Sequence, residues 1–206
     1  MKRITATLIT DGSSDKLLAP LIELLFSEHT EMAYQVNFAE GLPPQATGLK
    51  SRITSALELF PCDVLFVHRD AEKIEAPLRQ REIEASWPES QQSAVLICVV
   101  PVRMTEAWLI ANDKPIRLAV GNPSGTELLG LPAVKDIESL PEPKEVLFAA
   151  LKAASGLNAS RKRRFKPHQF RHRVSELTDD LAPLRKLSSF RHLEAQMQEF
   201  LSGLDR

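Results

Sequence analysis

Four acidic residues stand just beyond apolar runs of the chain, where their side chains could act on phosphate esters. They are Asp11, Asp70, Glu72 and Glu106. Converging carboxylates repel one another, so they usually share a proton or a cation. Their hard oxygen atoms suit Mg²⁺ or Mn²⁺, and such a cation could activate water for phosphodiester cleavage. The simpler alternative is that each acid only closes a turn or favours a helix dipole.

The elements that must position these acids are four predicted strands, each a short apolar run. They cover residues 4–10, 34–39, 63–68 and 94–100. Continuous apolar strands separated by helices favour an α/β fold of the Rossmann-like kind, with a mostly parallel sheet flanked by helices. The carboxyl ends of parallel strands form the ligand crevice of such sheets. We therefore expect the acids to meet at that edge.

Helices are predicted after most of these strands. The first covers 15–28, with Ser13 or Ser14 as its cap, the second covers 48–60, and a third ends near residue 86. Thr105 is expected to cap a further helix that begins at Glu106.

Beyond residue 120 the pattern is helical, which predicts an extension of 121–206 packed on a core of 1–120. Gly and Pro are frequent in 121–143, which indicates a connector. Helices are expected over three later stretches: 143–155, 167–179 and 188–202. The two parts are expected to form one compact unit.

The most basic stretch lies in this extension, at residues 161–173. Seven of its thirteen residues are Lys or Arg, and Phe165 and Phe170 are interleaved with them. Such density attracts a phosphate backbone, and aromatic rings can stack on unpaired bases. The candidate nucleic-acid contacts here are Arg161, Lys162, Arg163, Arg164, Lys166, Arg171 and Arg173. The alternatives are a solvated surface anchored by the two Phe, or docking onto an acidic partner.

Several short motifs resemble those of TOPRIM domains. The run Asp11-Gly12-Ser13-Ser14-Asp15 after the first strand resembles the TOPRIM opening Glu-Gly-x-x-Asp/Glu. The run 68–72, HRDAE, resembles their Asp-x-Asp segment. Residues 103–112, RMTEAWLIAN, are similar to a stretch of a small bacterial TOPRIM-like family, as are 143–147 and 189–193.

The resemblance implies a TOPRIM core and a divalent cation, Mg²⁺ or Mn²⁺, used for phosphoryl transfer or strand cleavage. The small family is similar to the overcoming-lysogenization-defect nucleases and is often encoded beside an ATPase. It therefore implies a nuclease, as the effector of an anti-phage defence or toxin-type system with an ATPase partner. Asp11, Asp70, Glu72 and Glu106 would hold the metal, with His68 as a ligand or proton shuttle.

Two positions depart from the TOPRIM pattern. Asp11 stands where the family has Glu, and His68 stands where it has the first acid of the pair. Histidine is a poor ligand for Mg²⁺, although it can bind Mn²⁺. The alternative function is therefore a catalytically degenerate subunit that binds an ATPase partner, nucleic acid or both.

Two further arginines lie close to the acids in sequence. Arg69 and Arg103 are expected to bind phosphate, since an Arg side chain can clamp it with two hydrogen bonds. Arg103 can equally form a salt bridge with Glu106.

The bulk composition excludes some classes. A net charge of −1 does not by itself indicate a nucleic-acid partner, and no apolar run is long enough to span a bilayer. No leader sequence is recognisable, so a cytoplasmic protein without membrane contact is expected. The absence of a Gly-x-x-x-x-Gly-Lys-Ser/Thr motif argues against ATP hydrolysis by the chain itself. Self-association is left open.

Overall fold

The computed structural model describes residues 3–89 and 93–204. Its strands are β1 (Ile4–Ile9), β2 (Tyr34–Phe38), β3 (Val64–His68) and β4 (Val95–Val99). Within the described residues they form one four-stranded, fully parallel sheet in the order β2-β1-β3-β4. The predicted α/β architecture with a parallel sheet is therefore confirmed, and each strand lies within a residue or two of its apolar run.

Helices connect the strands and cover both faces of the sheet. They are α1 (Leu18–His29), α2 (Leu49–Leu59) and α3 (Ala76–Ala85). In the sheet, β2 lies on one side of β1 and β3 on the other. The chain therefore moves across the sheet in one direction from β1 to β2, and in the opposite direction, past β1, from β2 to β3. In open α/β sheets this reversal leaves a crevice at the carboxyl ends of the strands, where ligands bind.

The helices that follow β4 are α4 (Glu106–Leu109), α5 (Asp113–Ala119), α6 (Pro143–Ala154), α7 (Ala159–Lys162), α8 (Arg171–Glu176) and α9 (Ser188–Leu204). A 3₁₀ helix, Val134–Ser139, interrupts the predicted connector. No helix among the described residues has the length and apolar character needed to cross a membrane.

Side chains alternate between two apolar layers, as the pleat of a strand requires. Ala6 and Leu8 of β1 pack in one layer with α1 and the helices after β4. Ile9 packs in the other layer with Ile53 of α2 and Ile83 of α3. The first layer includes residues on both sides of position 120, so the later helices share the main core with the sheet.

Helix α9 is held by side-chain hydrogen bonds at its first turn and at its middle. Glu138 caps its first turn, since its carboxylate accepts hydrogen bonds from the backbone N–H groups of Ser188 (2.9 Å) and Ser189 (2.8 Å). Burial alone would raise the pKa of Glu138, but these hydrogen bonds outweigh it and hold the pKa below its usual value. Further along, the Gln196 amide pairs with the backbone N–H and C=O of Cys98 and so covers part of the exposed edge of β4.

Three local predictions are wrong. The helix expected from residue 15 begins as a 3₁₀ helix over Ser13–Leu17, with Gly12 rather than a serine in the cap position. Thr105 precedes α4, but its side chain does not cap that helix. The helix expected over 167–179 is a 3₁₀ turn, Pro167–Phe170, followed by the short α8.

Candidate active site at the carboxyl edge of the sheet

Asp11, the first of the acids expected to hold a metal, is held by two arginines. Its Oδ2 accepts a hydrogen bond from Arg69 Nε at 3.1 Å, and its Oδ1 lies 3.7 Å from Arg52 Nη1. Arg52 is itself buried and donates to the carbonyl of Thr10 at 2.8 Å. Two guanidinium groups therefore balance the charge of Asp11 without any metal.

Arg69 is also occupied on its other side. Its Nη1 bonds to the carboxylate of Glu82, which in turn accepts from Arg79 Nη1 at 2.5 Å. Arg79 Nε donates to the backbone carbonyl of Asp70 at 3.1 Å. Arg69 thus belongs to a chain of ion pairs near the carboxyl ends of the strands. To bind phosphate as predicted, it would have to leave the carboxylates of Asp11 and Glu82.

Asp70 is positioned by two buried residues. His68 Nε2 lies 3.1 Å from Asp70 Oδ1, and the Thr105 hydroxyl donates to the same oxygen at 3.2 Å. His68 is only 1% exposed. The Thr105 hydroxyl also lies 3.1 Å from His68 Nε2, and the buried Nδ1 of His68 has no hydrogen-bond partner among the described residues. Asp70 Oδ2 is left without a hydrogen bond within the described chain.

The third acidic group combines Glu106 with Asp15, and Arg171 of α8 joins them. Arg171 Nε lies 3.1 Å from Glu106 Oε1, and Arg171 Nη2 lies 3.7 Å from Asp15 Oδ1. Glu106 is buried, with 5% of its side chain exposed, whereas Asp15 and Arg171 are partly buried, with 13% and 12% exposed. A buried hydrogen bond from Ser175 to the carbonyl of Leu17 holds α8 against the 3₁₀ turn that carries Asp15.

The charges of this group interact with Asp70. Burial is the main reason that the pKa of Glu106 is raised, and the charge of Asp70 adds to the effect while Arg171 opposes it. The pKa of Asp15 is also raised, mainly by burial and further by Asp70, against the lowering effects of His68 and Arg171. Asp15, Asp70 and Glu106 are therefore electrostatic neighbours, although they come from three separate segments of the chain.

Glu72 and Arg103 pair with each other outside this group. The backbone N–H of Glu72 donates to the carbonyl of Arg103 at 2.8 Å, and Arg103 Nη1 donates back to the carbonyl of Glu72 at 3.3 Å. Both residues have positive φ angles, 53° and 67°, which are uncommon for residues other than glycine. The Glu72 side chain is exposed, and the predicted salt bridge between Arg103 and Glu106 does not form.

The basic segment, residues 161–173, divides into free and paired cations. Within the described residues no ion pair is formed by Arg161, Lys162, Arg163, Arg164 or Lys166, which are exposed or half-buried. Arg173 instead pairs with Glu176 at 3.1 Å, and Arg171 is buried against Glu106. The free cations therefore concentrate in 161–166.

The two aromatic residues of the basic segment are turned toward the protein. Phe165 and Phe170 stack on each other with ring centroids 4.8 Å apart. Both pack against the main apolar core. The two rings therefore anchor the basic segment to the protein, as the alternative of a solvated surface anchored by the two Phe expects. They are not held free to stack on unpaired bases.

The cluster that the fold assembles, called here the carboxylate cluster, consists of Asp15, Asp70 and Glu106. Of the four acids expected to converge, Asp70 and Glu106 belong to it, although Asp70 interacts with the other two only through its charge. No contact within the described residues joins Asp11 or Glu72 to the cluster. Asp15 was not among the four expected acids, although it ends the run 11–15 that resembles the TOPRIM opening. Thr105 and Arg171 also have roles at this site that their sequence positions did not indicate.

The donor atoms of the carboxylate cluster are hard oxygens, which Mg²⁺ and Mn²⁺ prefer. The arrangement of these atoms, however, is not that of a metal site. Over residues 3–89 and 93–204, no three His, Cys, Asp or Glu side chains form a group that could hold a metal ion. A guanidinium, Arg171, lies against two of the three acids instead. The oxygen atoms are thus of a type that suits a divalent cation, but in the described residues they are not arranged to hold one, and a cation would have to displace Arg171.

Comparison of the chain with protein-family models, curated proteins and solved structures found no match. The geometry of the site is therefore what bears on function.

Proposed function

We propose that the chain is a TOPRIM-like nuclease that needs a divalent cation to cleave phosphodiester bonds. The observation that carries the proposal is that Asp15, Asp70 and Glu106, from three segments that follow strands of the parallel sheet, lie close enough for their charges to interact. Burial raises the pKa of Asp15 and of Glu106, although Arg171 lies against both. Carboxylates with perturbed pKa values at the carboxyl ends of strands favour a functional site.

In this proposal the carboxylate cluster would hold Mg²⁺ or Mn²⁺. When bound, the cation would supply Lewis-acid activation of the phosphate ester. His68 and Thr105 would keep Asp70 Oδ1 in place by hydrogen bonds, leaving Oδ2 for the ligand. Asp11 and Glu72, which the sequence assigned to the metal, would take no part in holding it.

Substrate binding would fall to the free cations of residues 161–166. A 3₁₀ turn, Pro167–Phe170, connects this segment to α8, whose first residue, Arg171, contacts Glu106. In this proposal a polyanion bound along 161–166 would extend toward the carboxylate cluster. As the resemblance to TOPRIM-like families implies, the physiological setting would be an effector of anti-phage defence or a toxin-type system, controlled by an ATPase partner.

The test is cleavage of plasmid DNA and of RNA by the purified chain, with Mg²⁺ and with Mn²⁺. Asp70→Asn and Glu106→Gln are expected to abolish cleavage, because each removes a charged ligand and changes little in volume. Glu40→Gln is the matched control, since Glu40 is 70% exposed and pairs only with Lys16 among the described residues. Cleavage that survives both cluster substitutions, or no cleavage with either metal, would refute the proposal.

A second candidate function is favoured by one specific observation. Arg171 occupies the position expected for the cation, as a permanent replacement in a degenerate site would do. The chain would then serve as a regulatory or scaffold subunit that binds an ATPase partner, nucleic acid or both. A stoichiometric complex with an ATPase, formed by a chain that neither binds Mn²⁺ nor cleaves nucleic acid, would support this function over the first.

A further inference from the structure

Strand β4 forms one edge of the sheet, because β3 is the only described strand that pairs with it. The N–H of Val95 donates to the carbonyl of Asp63, so every second residue from Val95 onward turns its backbone groups toward β3. Outward-facing groups of this kind are a template for pairing with a further strand. Along β4 and just past its end they belong to Leu96, Cys98 and Val100.

The outward groups of Cys98 are already bonded, and their partner has the chemistry of a peptide group. The Gln196 carboxamide accepts a hydrogen bond from the N–H of Cys98 at 2.9 Å and donates one to its carbonyl at 3.0 Å. A neighbouring strand would offer the same two groups, a carbonyl and an N–H. No residue of the described chain bonds to the outward groups of Leu96 or Val100. Gln196 thus substitutes for one residue of a further strand, with unpaired positions on either side.

A groove follows this edge between two helices. Helix α3 packs on one face of the sheet and α9 on the other, and residues from both line the same cavities. One cavity of about 660 Å³ includes Val95 and Leu96, and a second of about 240 Å³ includes Val100. Gln80 of α3 and His192 of α9 line both, so the two cavities adjoin along β4.

The lining of the groove indicates what chemistry it would accept. Val95 is 46% exposed, and Phe200 of α9 contributes a further apolar surface. Glu84 and Glu199 line the larger cavity, whereas no Lys or Arg of the described residues lines either one. The charge of Glu84 reaches the strand, since it adds to the effect of burial in raising the pKa of the Cys98 thiol to about 12. The groove therefore suits apolar side chains accompanied by a positive charge.

We infer that the open edge of β4 binds an extended segment of a partner protein, which carries apolar side chains with Lys or Arg and adds to the sheet as a further strand. In this mode of recognition the backbone hydrogen bonds supply affinity and the side-chain pockets supply specificity. The Gln196 side chain would leave Cys98 as the segment binds, because the same N–H and C=O then bond to the segment. Binding at this edge is independent of the nuclease activity proposed above.

A second copy of this chain fits the groove less well than a single extended segment. The edge of a second sheet would bring its own flanking helices, and these would have to enter the space between α3 and α9. Strand β4, with the sequence VLICV, also has no Lys or Arg to meet Glu84 and Glu199. A single segment from a partner has neither difficulty.

The experiment selects peptides of about seven residues, slightly longer than a typical strand, from a phage-displayed library on the full chain. We expect enrichment of apolar residues at alternate positions together with Lys or Arg. Synthetic copies of the selected peptides are then titrated by fluorescence anisotropy. Val95→Lys should weaken their binding by about tenfold or more, because it sets a like charge in the groove. Leu59→Lys is the matched control, since Leu59 is 62% exposed and lines neither cavity.

Removing the side chain that bonds to the edge should have the opposite effect. Gln196→Ala is expected to bind the peptides about fivefold more tightly, because two hydrogen bonds to Cys98 no longer have to be broken. Gln198→Ala is the matched control, an exposed residue of the same type on the same helix. Unchanged or weaker binding by a folded Gln196→Ala chain would overturn the inference.

A scan of the peptide tests strand addition on the wild-type chain and needs no folded variant. Only every second N–H of an added strand faces β4, so methylation of backbone nitrogens should weaken binding at alternate positions and be tolerated between them. Equal tolerance at all positions, or the lack of any peptide that Val95→Lys weakens, would overturn the inference. So would a wild-type dimer in analytical ultracentrifugation that Val95→Lys converts to monomers, because a second copy would then occupy the groove.

Discussion

The free cations at residues 161–166 should make nucleic-acid binding strongly dependent on salt. These cations are the five Lys and Arg side chains that form no ion pair within the described residues: Arg161, Lys162, Arg163, Arg164 and Lys166. If each neutralises one phosphate of a duplex, log K should fall against log salt with a slope of about −4.5. Between about 50 and about 200 mM salt the affinity should then drop by roughly 500-fold.

Removing three of these charges should change the slope by a calculable amount. The variant Arg161→Ala, Arg163→Ala, Arg164→Ala should reach a slope of about −1.8 and lose only about 12-fold over the same salt range. Arg173→Ala should leave the slope nearly unchanged, because Glu176 already neutralises that charge.

The assay is fluorescence anisotropy of a labelled duplex oligonucleotide, titrated with each protein at several salt concentrations. A wild-type slope near zero would refute the assignment of a backbone-binding surface. So would a triple variant that keeps the wild-type slope, because the charges doing the binding would then lie elsewhere.

Two further predictions concern individual residues. Asp15→Asn should abolish metal-dependent cleavage whereas Glu72→Gln should retain it, and a plasmid-nicking assay that gave the reverse ranking would restore the assignment made from sequence. Glu138→Gln should lower the free energy of unfolding at neutral pH by about 2 kcal/mol, since it weakens hydrogen bonds to a charged cap. Because the folded pKa of Glu138 is lowered, this contribution is complete above the unfolded pKa and disappears as pH falls through the folded pKa. Urea unfolding at several pH values measures it, and a deficit that persists below that range would contradict the capping role.

The strands and their parallel arrangement were predictable because apolar runs dominate them. Residues 63–68 and 94–100 are apolar on both faces of the sheet, which indicates burial between two layers of helices. The positions of Asp70 and Glu106 followed, since both lie just past such strands. Their proximity is a consequence of parallel pairing, which places the carboxyl ends of neighbouring strands on one edge.

The rest of the site depended on local and tertiary details that the sequence pattern does not encode. Asp15 lies in a 3₁₀ turn, Ser13–Leu17, that precedes α1, whereas a regular α-helix was expected there. The position of its side chain relative to Glu106 depends on this turn. Thr105 has the residue type and position of a helix cap, but its hydroxyl bonds to Asp70 instead. Both outcomes are competitions between nearby hydrogen-bonding partners, which only the folded geometry decides.

Arg171 illustrates the same limit for charge. It belongs to a basic stretch whose density indicated a nucleic-acid surface, yet α8 packs against the 3₁₀ turn and buries this one side chain among carboxylates. For the basic residues that stay exposed, the nucleic-acid surface remains a prediction. Which of them is withdrawn depends on docking between distant parts of the chain.

The most direct test of the site is an anomalous-scattering map from crystals soaked in Mn²⁺. The account predicts a peak bounded by Asp15, Asp70 and Glu106, with the Arg171 side chain turned away from Glu106. A map at high Mn²⁺ with no peak there and Arg171 still against Glu106 would contradict it.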